Sequence, residues 1–297
     1  MSNDTYQFHT YRYWLMTVDP VHIGTGGSRL GRVDNSIVRE PGTKLPKIPG
    51  TSLSGAIRQY AAAQNNDLNC AGQKNHHTEN DENEKCPVCY TFGVANDAGA
   101  GYSGVVSIGD ARLLLFPVYS MQGPVWVTSA RTLADVGIKV DTPPQAAQAD
   151  FAADVQGNHV NLSWVMVTKH NNLSVTWPEA IPPSVRSRVV LVSENLFAQV
   201  VNAGLEVRTS VSINPETGAA EDGALFTYEA IPRAAFLWTE IVEDDFRLNF
   251  PAEEKPEWTS PIQVVEAGLN WAEHLGVGGM GTRGFGRLRK IGRQEVA

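Results

Sequence analysis

The chain has 297 residues, of which 42% are hydrophobic and 19% charged, a composition typical of a globular protein with a substantial core. No apolar run is long enough to span a bilayer, and the first residues lack the basic and apolar regions of a signal peptide. We therefore expect a cytoplasmic protein with no membrane partner. The net charge of −8 argues against general attraction to nucleic acid, although the C-terminal stretch "TRGFGRLRKIGR" is basic and compatible with an anion-binding face.

Hydrophobic periodicity and turn residues predict strands and helices along the whole chain. In chain order these are strand 11–24, a helix after the turn at Gly50 with Thr51 or Ser52 as its N-cap, strand 104–118, a strand and short helix in "PVWVTSARTLADVG", helix 193–204, a long β-hairpin within 204–231, a strand in "RAAFLWTEIVE", helix 260–276 and a last strand in "GFGRLRKI". This pattern predicts an α+β fold with a mostly antiparallel sheet, and a ferredoxin-like or RNA-recognition-motif-like unit fits it. No linker divides the chain, so we expect residues 1–297 to form one elaborated domain.

Residues 65–104 are polar, acidic and glycine-rich, which indicates an insertion, and they hold all three cysteines. The spacing in "CPVC" lets two thiolates chelate one zinc ion from a tight turn. The candidate ligands are Cys70, Cys86, Cys89 and either His76 or His77. They predict a closed, structural Zn²⁺ site, because a hydrophilic loop of this kind has little core of its own. The alternative is three free cysteines in a polar loop.

Three glycine-rich segments offer backbone N–H groups that can line an anion such as a phosphate. They are "HIGTGGSRLG", the helix start "PGTSLSG" with Ser52 and Ser54, and "GVGGMGTRGFG" with Gly279 and Gly281. Arg58 and Arg283 lie next to two of these segments, which favours phosphate contact. None of the segments matches a phosphate-loop or dinucleotide pattern, and a plain turn is the alternative for each.

The stretch "GGSRLGRVDNSIVRE" sets one carboxylate, Asp34, among glycines and arginines that include Arg29 and Arg32. Aspartate and asparagine are natural turn formers, so local chemistry by itself favours a structural role for Asp34. His22 ends the first predicted strand, where a histidine is more often a satisfied structural residue than a catalytic one. A role on a substrate that the arginines hold is the alternative for this stretch.

Five segments occur together in a fixed order along the chain. They are "VDPVHIGTG…LGRVDNSIVRE", "LPKIPGTSLSGAIR", "GVVSIGDARLLLFPV", "DGALFTYEAIP" and "GVGGMGTRGFGRL". This ordered set resembles the RAMP superfamily of CRISPR proteins, and within it the repeated backbone subunit of type III-B (Cmr) effector complexes. The resemblance covers nearly the whole chain and is weakest over residues 119–185.

The resemblance implies a ferredoxin-like or RNA-recognition-type palm with an inserted loop and a β-hairpin thumb. It implies that several copies form a helical filament along a guide crRNA, together with other subunits of the effector complex. It also implies that complementary target RNA is cleaved at regular intervals, with Mg²⁺ or Mn²⁺ required. By position the cleaving residue is Asp34, and His22 is the second catalytic candidate. Arg29 or Arg32 would offset phosphate charge.

The thumb strand residue Arg208 is an expected RNA contact, with a cross-strand salt bridge as the alternative. Two departures from the family reduce the expected phosphate contact: relatives often have a lysine at the position of Ser54, and basic residues where this chain has "YSMQG". Three functions follow from the resemblance. They are an RNA-guided endoribonuclease, a non-catalytic scaffold that binds crRNA in the same complex, and an enzyme that trims guide RNA.

Overall fold

The computed structural model describes residues 8–26, 33–73, 85–94, 101–255 and 257–296, apart from the side chains of 222–224. The strands are β1 (His9–Thr17), β2 (Lys47–Ile48), β3 (Gly93–Val94), β4 (Tyr102–Ser103), β5 (Val106–Ile108), β6 (Ala111–Val118), β7 (Val125–Ser129), β8 (Gln148–Phe151), β9 (His159–Leu162), β10 (Val165–Asn172), β11 (Val189–Val192), β12 (Glu206–Ile213), β13 (Ala220–Ala230), β14 (Phe236–Glu243) and β15 (Leu288–Glu295). The helices are α1 (Gly50–Gln64), α2 (Pro87–Phe92), α3 (Ala130–Ala134), α4 (Pro183–Arg186), α5 (Glu194–Ala203) and α6 (Pro261–Leu275), and 3₁₀ turns occur at Leu68–Ala71 and Gly281–Arg283.

One large sheet organises this part of the chain. Its strand order is β15-β1-β14-β6-β7-β11-β8-β10-β9, with β2 beside β6 and β5 beside β14. Strand β6 joins the two halves, because residues near its start pair with β14 and its last residues pair with β7. In the half β15-β1-β14-β6 every pairing is antiparallel, whereas β7-β11 and β8-β10 are parallel pairs. The expectation of a mixed fold of helices and strands is confirmed.

Both faces of the sheet are covered in its first half, and β1 shows how the sequence achieves this. Successive side chains of a strand point to opposite faces. Tyr13 and Leu15 are fully buried in the core that includes Ile57 of α1 and Val265 of α6. Trp14 enters a second core on the other face. A strand buried on both faces reads as a nearly continuous run of aromatic and aliphatic residues, as "YRYWLM" does.

Helices α1 and α6 pack closely because α6 has a glycine at the contact. A Cβ atom at Gly268 would lie 2.1 Å from the carbonyl oxygen of Ile57, so no larger side chain fits there without moving a helix. Both helices have 15 residues, and none of the helices in the described ranges is long and apolar enough to cross a membrane.

Helix α1 begins two or three residues earlier than the sequence predicts. Its N-cap is Pro49, without a side-chain cap, so the prediction of Thr51 or Ser52 as N-cap is wrong. The carboxylate of Asp110 caps the helix instead, because its Oδ1 atom accepts a hydrogen bond of 2.8 Å from the Gly50 N–H. Asp110 also pairs with Lys47. A carboxylate at a helix N-terminus stabilises the unpaired N–H groups of the first turn.

Two features extend from this frame. Strands β12 and β13 form an antiparallel hairpin of their own, in which Thr209 faces Thr227. Helix α2 and the 3₁₀ turn Leu68–Ala71 pack against α1 and α6 around a small separate core that contains the three cysteines and Trp258. The hairpin and the cysteine segment lie where the sequence places the long hairpin and the insertion.

Candidate functional site

Asp34 lies against the hairpin strand β13. Its neighbour Asn35 forms a parallel bridge to Tyr228, in which the Asn35 N–H donates to the Thr227 carbonyl and the Glu229 N–H donates to the Asn35 carbonyl, both at 3.0 Å. The loop after β1 therefore runs beside the hairpin as a short extra strand. This pairing places the side chain of Asp34 next to Thr227, 193 residues later in the chain.

One oxygen of the Asp34 carboxylate is held by Thr227. Oδ2 accepts hydrogen bonds from the Thr227 N–H at 2.7 Å and from the Thr227 hydroxyl at 2.9 Å. The Asp34 N–H in turn donates to the same hydroxyl oxygen at 3.1 Å. The hydrogen bond from the Thr227 backbone and then that from its hydroxyl lower the pKa of Asp34, because they favour the charged form. Asp34 is exposed. Thr227 donates only to its Oδ2, and no described residue donates to its Oδ1.

His22 approaches the same segment of β13 from the other side. Its ring is 6% exposed, lies edge-on to Tyr228 with 6.0 Å between ring centroids, and places Nδ1 2.6 Å from the Glu229 carbonyl oxygen. A carbonyl oxygen only accepts hydrogen bonds, so Nδ1 carries the proton and is the donor. A Cβ atom at Gly24 would lie 3.1 Å from the other ring nitrogen, Nε2. The structure thus brings Asp34 and His22 to one three-residue segment, Thr227–Glu229.

Glu229 is itself fixed by an ion pair. The Arg39 guanidinium places Nη2 2.8 Å from Glu229 Oε2, while its Nε atom donates to Asn202 of α5 at 2.8 Å. Sequence reasoning missed Thr227 and assigned no role to Glu229. Neither residue type carries a signal of its own, because each acquires its role from pairing with a loop that is distant in sequence.

Phe226, Tyr228 and Phe285 form an aromatic cluster where the hairpin meets the C-terminal glycine loop, with 6.0 Å between the first two ring centroids and 5.4 Å between the last two. The Arg208 guanidinium lies 4.5 Å from the Phe285 ring, and that of Arg283 lies 5.6 Å from the Phe226 ring. Side chains alternate along β13, so Phe226 and Tyr228 face away from Thr227. Arginine on aromatic rings is the combination that proteins use to hold single-stranded nucleic acid.

The two arginines of this cluster differ in their electrostatics. Arg208 forms an ion pair with Glu206 on its own strand, at 2.6 Å, so the salt bridge considered as the alternative to an RNA contact is not the cross-strand one. Arg283 is exposed and contacts the sulfur of Met280 at 3.3 Å. Within the ranges that the structure describes, no carboxylate lies at ion-pair distance from Arg283. Its charge is therefore available to a ligand.

The C-terminal glycine loop packs onto the segment after β1 that contains His22, which lies beyond the end of the observed strand. The Gly279 N–H donates to the His22 carbonyl at 3.0 Å, and Gly278, at φ +89°, lies so close that a Cβ atom would be 2.6 Å from that oxygen. Gly281 opens the 3₁₀ turn that carries Arg283. Gly279 and Gly281 therefore belong to the same region as Asp34 and His22.

Other predicted residues lie elsewhere. Ser52 and Ser54 are half-buried in the first turns of α1. Arg58 donates from Nε to the Cys70 carbonyl at 2.6 Å, so the structure places it at the cysteine segment. Arg29, Arg32, His76 and His77 lie outside the described residues.

Most of the basic C-terminal stretch is neutralised within the chain. Arg289 pairs with Glu273 at 2.6 Å, and Lys290 and Arg293 share Glu266 at 3.3 and 3.2 Å. Arg287 pairs with Asp19. Among the basic residues of this stretch, Arg283 is therefore the one that stays a candidate for the expected anion-binding face.

The three cysteines meet in the small core beside α1 and α6. Cys70, Cys86 and Cys89 are buried, and their sulfur atoms all lie within 4.8 Å of one another. The Cys89 N–H donates to the Cys86 sulfur at 3.5 Å, and the pKa of Cys70 is raised by hydrogen bonding to the thiols of Cys86 and Cys89 and by burial. Thiolates that converge from a tight turn in this way are suited to hold a metal ion.

The chain belongs to the RAMP superfamily, whose family model matches residues 14–289. It is 27% identical, over 309 residues and 96% of each chain, to CRISPR system Cmr endoribonuclease Cmr4 of Pyrococcus furiosus. A shorter similarity, 36% identity over 93 residues, joins it to CRISPR system Cms endoribonuclease Csm3 of Enterococcus italicus and covers 31% of this chain and 40% of that relative. The resemblance read from the sequence is confirmed.

Two solved structures share the fold at low sequence identity. One is a chain of type III-B Cmr-beta bound to cognate target RNA, with a TM-score of 0.66, 14% identity, and coverage of 96% of this chain and 98% of that one. The other is oligomeric Cmr4 from Pyrococcus furiosus, with a TM-score of 0.62, 18% identity, and coverage of 98% and 100%.

Proposed function

We propose that this chain is a backbone subunit of a type III-B effector complex that binds guide crRNA and cleaves the complementary target RNA with Asp34. The observation that carries this proposal is the exposed carboxylate of Asp34, held in its charged form at the base of the hairpin. His22 contacts the same hairpin segment, and Arg208 and Arg283 lie over the largely buried aromatic rings on the opposite face of that segment. Similarity to a named endoribonuclease over 96% of both chains supports the reaction.

In this proposal the whole chain is one elaborated domain whose palm is the unit β1-α1-β6-β14-α6-β15. The order of its strands in the sheet is β15-β1-β14-β6. A β-α-β-β-α-β unit with this arrangement is the ferredoxin-like fold. The hairpin β12–β13 is the thumb, which would enter the guide–target duplex. Several copies would associate along one crRNA in the cytoplasm, together with other subunits of the complex.

The hairpin face opposite Asp34, together with the C-terminal glycine loop, offers groups that suit an RNA backbone. We assign RNA contacts to Arg283 and Arg208 through stacking and charge, and to the backbone of Gly281, while Gly279, whose N–H donates to the His22 carbonyl, stays a predicted contact. Arg29, Arg32, Ser52, Ser54 and Arg58 stay predicted contacts. Because base pairing selects the target, the protein needs to hold only the shape and phosphates of the duplex.

RNA carries its own nucleophile, the 2′-hydroxyl, and a displaced nucleotide can bring this group in line with the adjacent phosphate. In our proposal the Asp34 carboxylate accepts a hydrogen bond or a proton from this hydroxyl, or orients a cation on the phosphate. A divalent ion such as Mg²⁺ or Mn²⁺, when bound, would offset charge on the phosphate oxygens. His22 is buried with its Nδ1 engaged, so we assign it to shaping the loop and to presenting Nε2.

A second candidate function is a scaffold that binds crRNA and leaves cleavage to a partner. The observation that favours it is the same set of hydrogen bonds between Asp34 and Thr227, since a carboxylate that pins a loop to a hairpin needs no catalytic role.

The two candidates differ in the effect of Asp34→Ala on the assembled complex. If Asp34 cleaves, complementary RNA is bound as before while its cleavage slows by about 100-fold or more. The control is Asp154→Ala, an exposed aspartate between β8 and β9, which should cleave at the normal rate. Unchanged cleavage by Asp34→Ala would overturn the proposed role of Asp34 and favour the scaffold.

We also propose that the cysteine segment holds a structural Zn²⁺ ion. Cys70, Cys86 and Cys89 would supply three thiolates, with His76 or His77 as the predicted fourth ligand. Three buried thiols within 4.8 Å of one another fit this group, because a zinc ion allows adjacent sulfurs to lose their protons together.

A further inference from the structure

We propose that Thr227 is the positioning residue of the cleavage site, which sets the orientation of the Asp34 carboxylate through its hydroxyl group. This inference rests on the proposed role of Asp34. Thr227 touches both ends of Asp34: its N–H and hydroxyl donate to Oδ2 at 2.7 and 2.9 Å, and its hydroxyl oxygen accepts from the Asp34 N–H at 3.1 Å.

These three hydrogen bonds define the rotation of the carboxylate. Two donors from one residue converge on Oδ2, so the second oxygen, Oδ1, turns away from the hairpin. Charge-assisted hydrogen bonds of this length are stronger than neutral ones. Without these hydrogen bonds, a carboxylate on an exposed loop would sample several rotamers. Fixing one rotamer before RNA binds lowers the entropic cost of aligning the carboxylate for the reaction.

The backbone around Thr227 is fixed independently of its hydroxyl. Asn35 bridges the Thr227 carbonyl and the Glu229 N–H, and the ion pair between Arg39 and Glu229 ties the same segment to the loop. The Thr227 N–H thus keeps its place beside Asp34 whatever the side chain is. The hydroxyl takes no part in this strand pairing, and its partners among the described residues are the carboxylate and the N–H of Asp34.

Thr209 provides an internal comparison. It lies directly opposite Thr227 in the hairpin, on the same face and with the same side chain, but it is more exposed. Among the contacts of the described residues, none joins Thr209 to Asp34. The Thr209 hydroxyl therefore lies on the hairpin surface without contacting Asp34, whereas the Thr227 hydroxyl is hydrogen-bonded to the Asp34 carboxylate.

Residue 227 also links cleavage to the hairpin. Asp34 is on the loop after β1 and Thr227 is on β13, so the carboxylate has its defined orientation only while loop and hairpin are paired. A movement of the hairpin that separates the two would release Oδ2. The Asp34 carboxylate would then be present but no longer held in the orientation that the proposed cleavage uses.

The test is single-turnover cleavage of complementary RNA by complexes assembled with Thr227→Val, Thr227→Ser or Thr209→Val. Valine keeps the shape and the strand preference but removes the hydroxyl, so we expect cleavage by Thr227→Val to slow by about 10-fold. RNA affinity and melting temperature should be unchanged. Thr227→Ser should retain most of the rate, and Thr209→Val all of it.

A second arm places Thr227→Val in the Asp34→Ala background, where it should cause no further loss, because the carboxylate that it positions is gone. Wild-type cleavage by Thr227→Val, or a loss in Thr227→Ser as large as in Thr227→Val, would overturn the positioning role while Asp34 stayed the cleaving residue. Cleavage that survives Asp34→Ala would instead overturn the proposed function, and the role of Thr227 with it.

Discussion

At the scale of single residues, the most constrained charge beside the candidate site is Glu229. Its side chain is 9% exposed and that of its partner Arg39 is 23% exposed. Arg39 also donates to Asn202 and to the Ile37 carbonyl, so one guanidinium joins the loop, the hairpin and α5. A buried carboxylate without its partner is costly, because neither water nor another cation replaces the lost contact.

We therefore expect Arg39→Met to lower the free energy of unfolding by about 2 kcal/mol. The comparison is Arg289→Met, which breaks the exposed pair with Glu273 and should change stability by less than about 1 kcal/mol. Urea unfolding of both variants gives the two values. Equal losses would show that the burial of Glu229 does not set the cost.

Residue chemistry alone was enough to mark Asp34 and His22 as candidate site residues, because an isolated carboxylate and a histidine at the end of a predicted strand are visible in the sequence. It was not enough to decide what they do. Thr227 and Glu229 could not be selected, because the bridge to Asn35 that gives them their roles joins positions 193 residues apart. The family resemblance assigned a function to Asp34, and the geometry adds how its carboxylate is held.

At the scale of elements, periodicity placed the hairpin and the long helix 261–275 well, because each carries its own pattern. The start of α1 was predicted wrongly because its capping group, Asp110, is 60 residues away. The cysteine segment is the opposite case. Two of its three thiols are close in sequence, and the third, the upstream candidate Cys70, joins them from a separate 3₁₀ turn that the sequence did not predict.

For this segment we expect protein purified without added zinc to contain about one zinc per chain. Cys86→Ser should lose the metal and lower the melting temperature, since metal binding contributes directly to the folding of such a loop. Elemental analysis and thermal unfolding measure both. Less than about half an equivalent in the unaltered protein, with Cys86→Ser melting normally, would leave three free thiols in a small core.

At the scale of the whole molecule, the proposed RNA binding requires an acidic chain to concentrate its unpaired positive charge on one surface. The net charge is −8, and the ion pairs of Arg287, Arg289, Lys290 and Arg293 remove most of the C-terminal basic stretch as a binding surface. Composition showed the basic stretch, but only the fold shows which of its charges have partners. Arg283 is exposed, and its guanidinium lies over the Phe226 ring beside the candidate site.

This distribution predicts that two neighbouring arginines differ in their effect on RNA binding. Arg283→Ala should weaken RNA affinity and reduce the slope of log affinity against log salt by about 1, because one phosphate contact is lost. Arg289→Ala removes a charge of the same kind, but one already paired with Glu273, and should change neither affinity nor slope. Titrations of the assembled complex with complementary RNA at several salt concentrations distinguish them. If both variants reduced the slope equally, RNA would respond to the total positive charge of the C-terminal region, and the assignment of Arg283 as a specific backbone contact would be wrong.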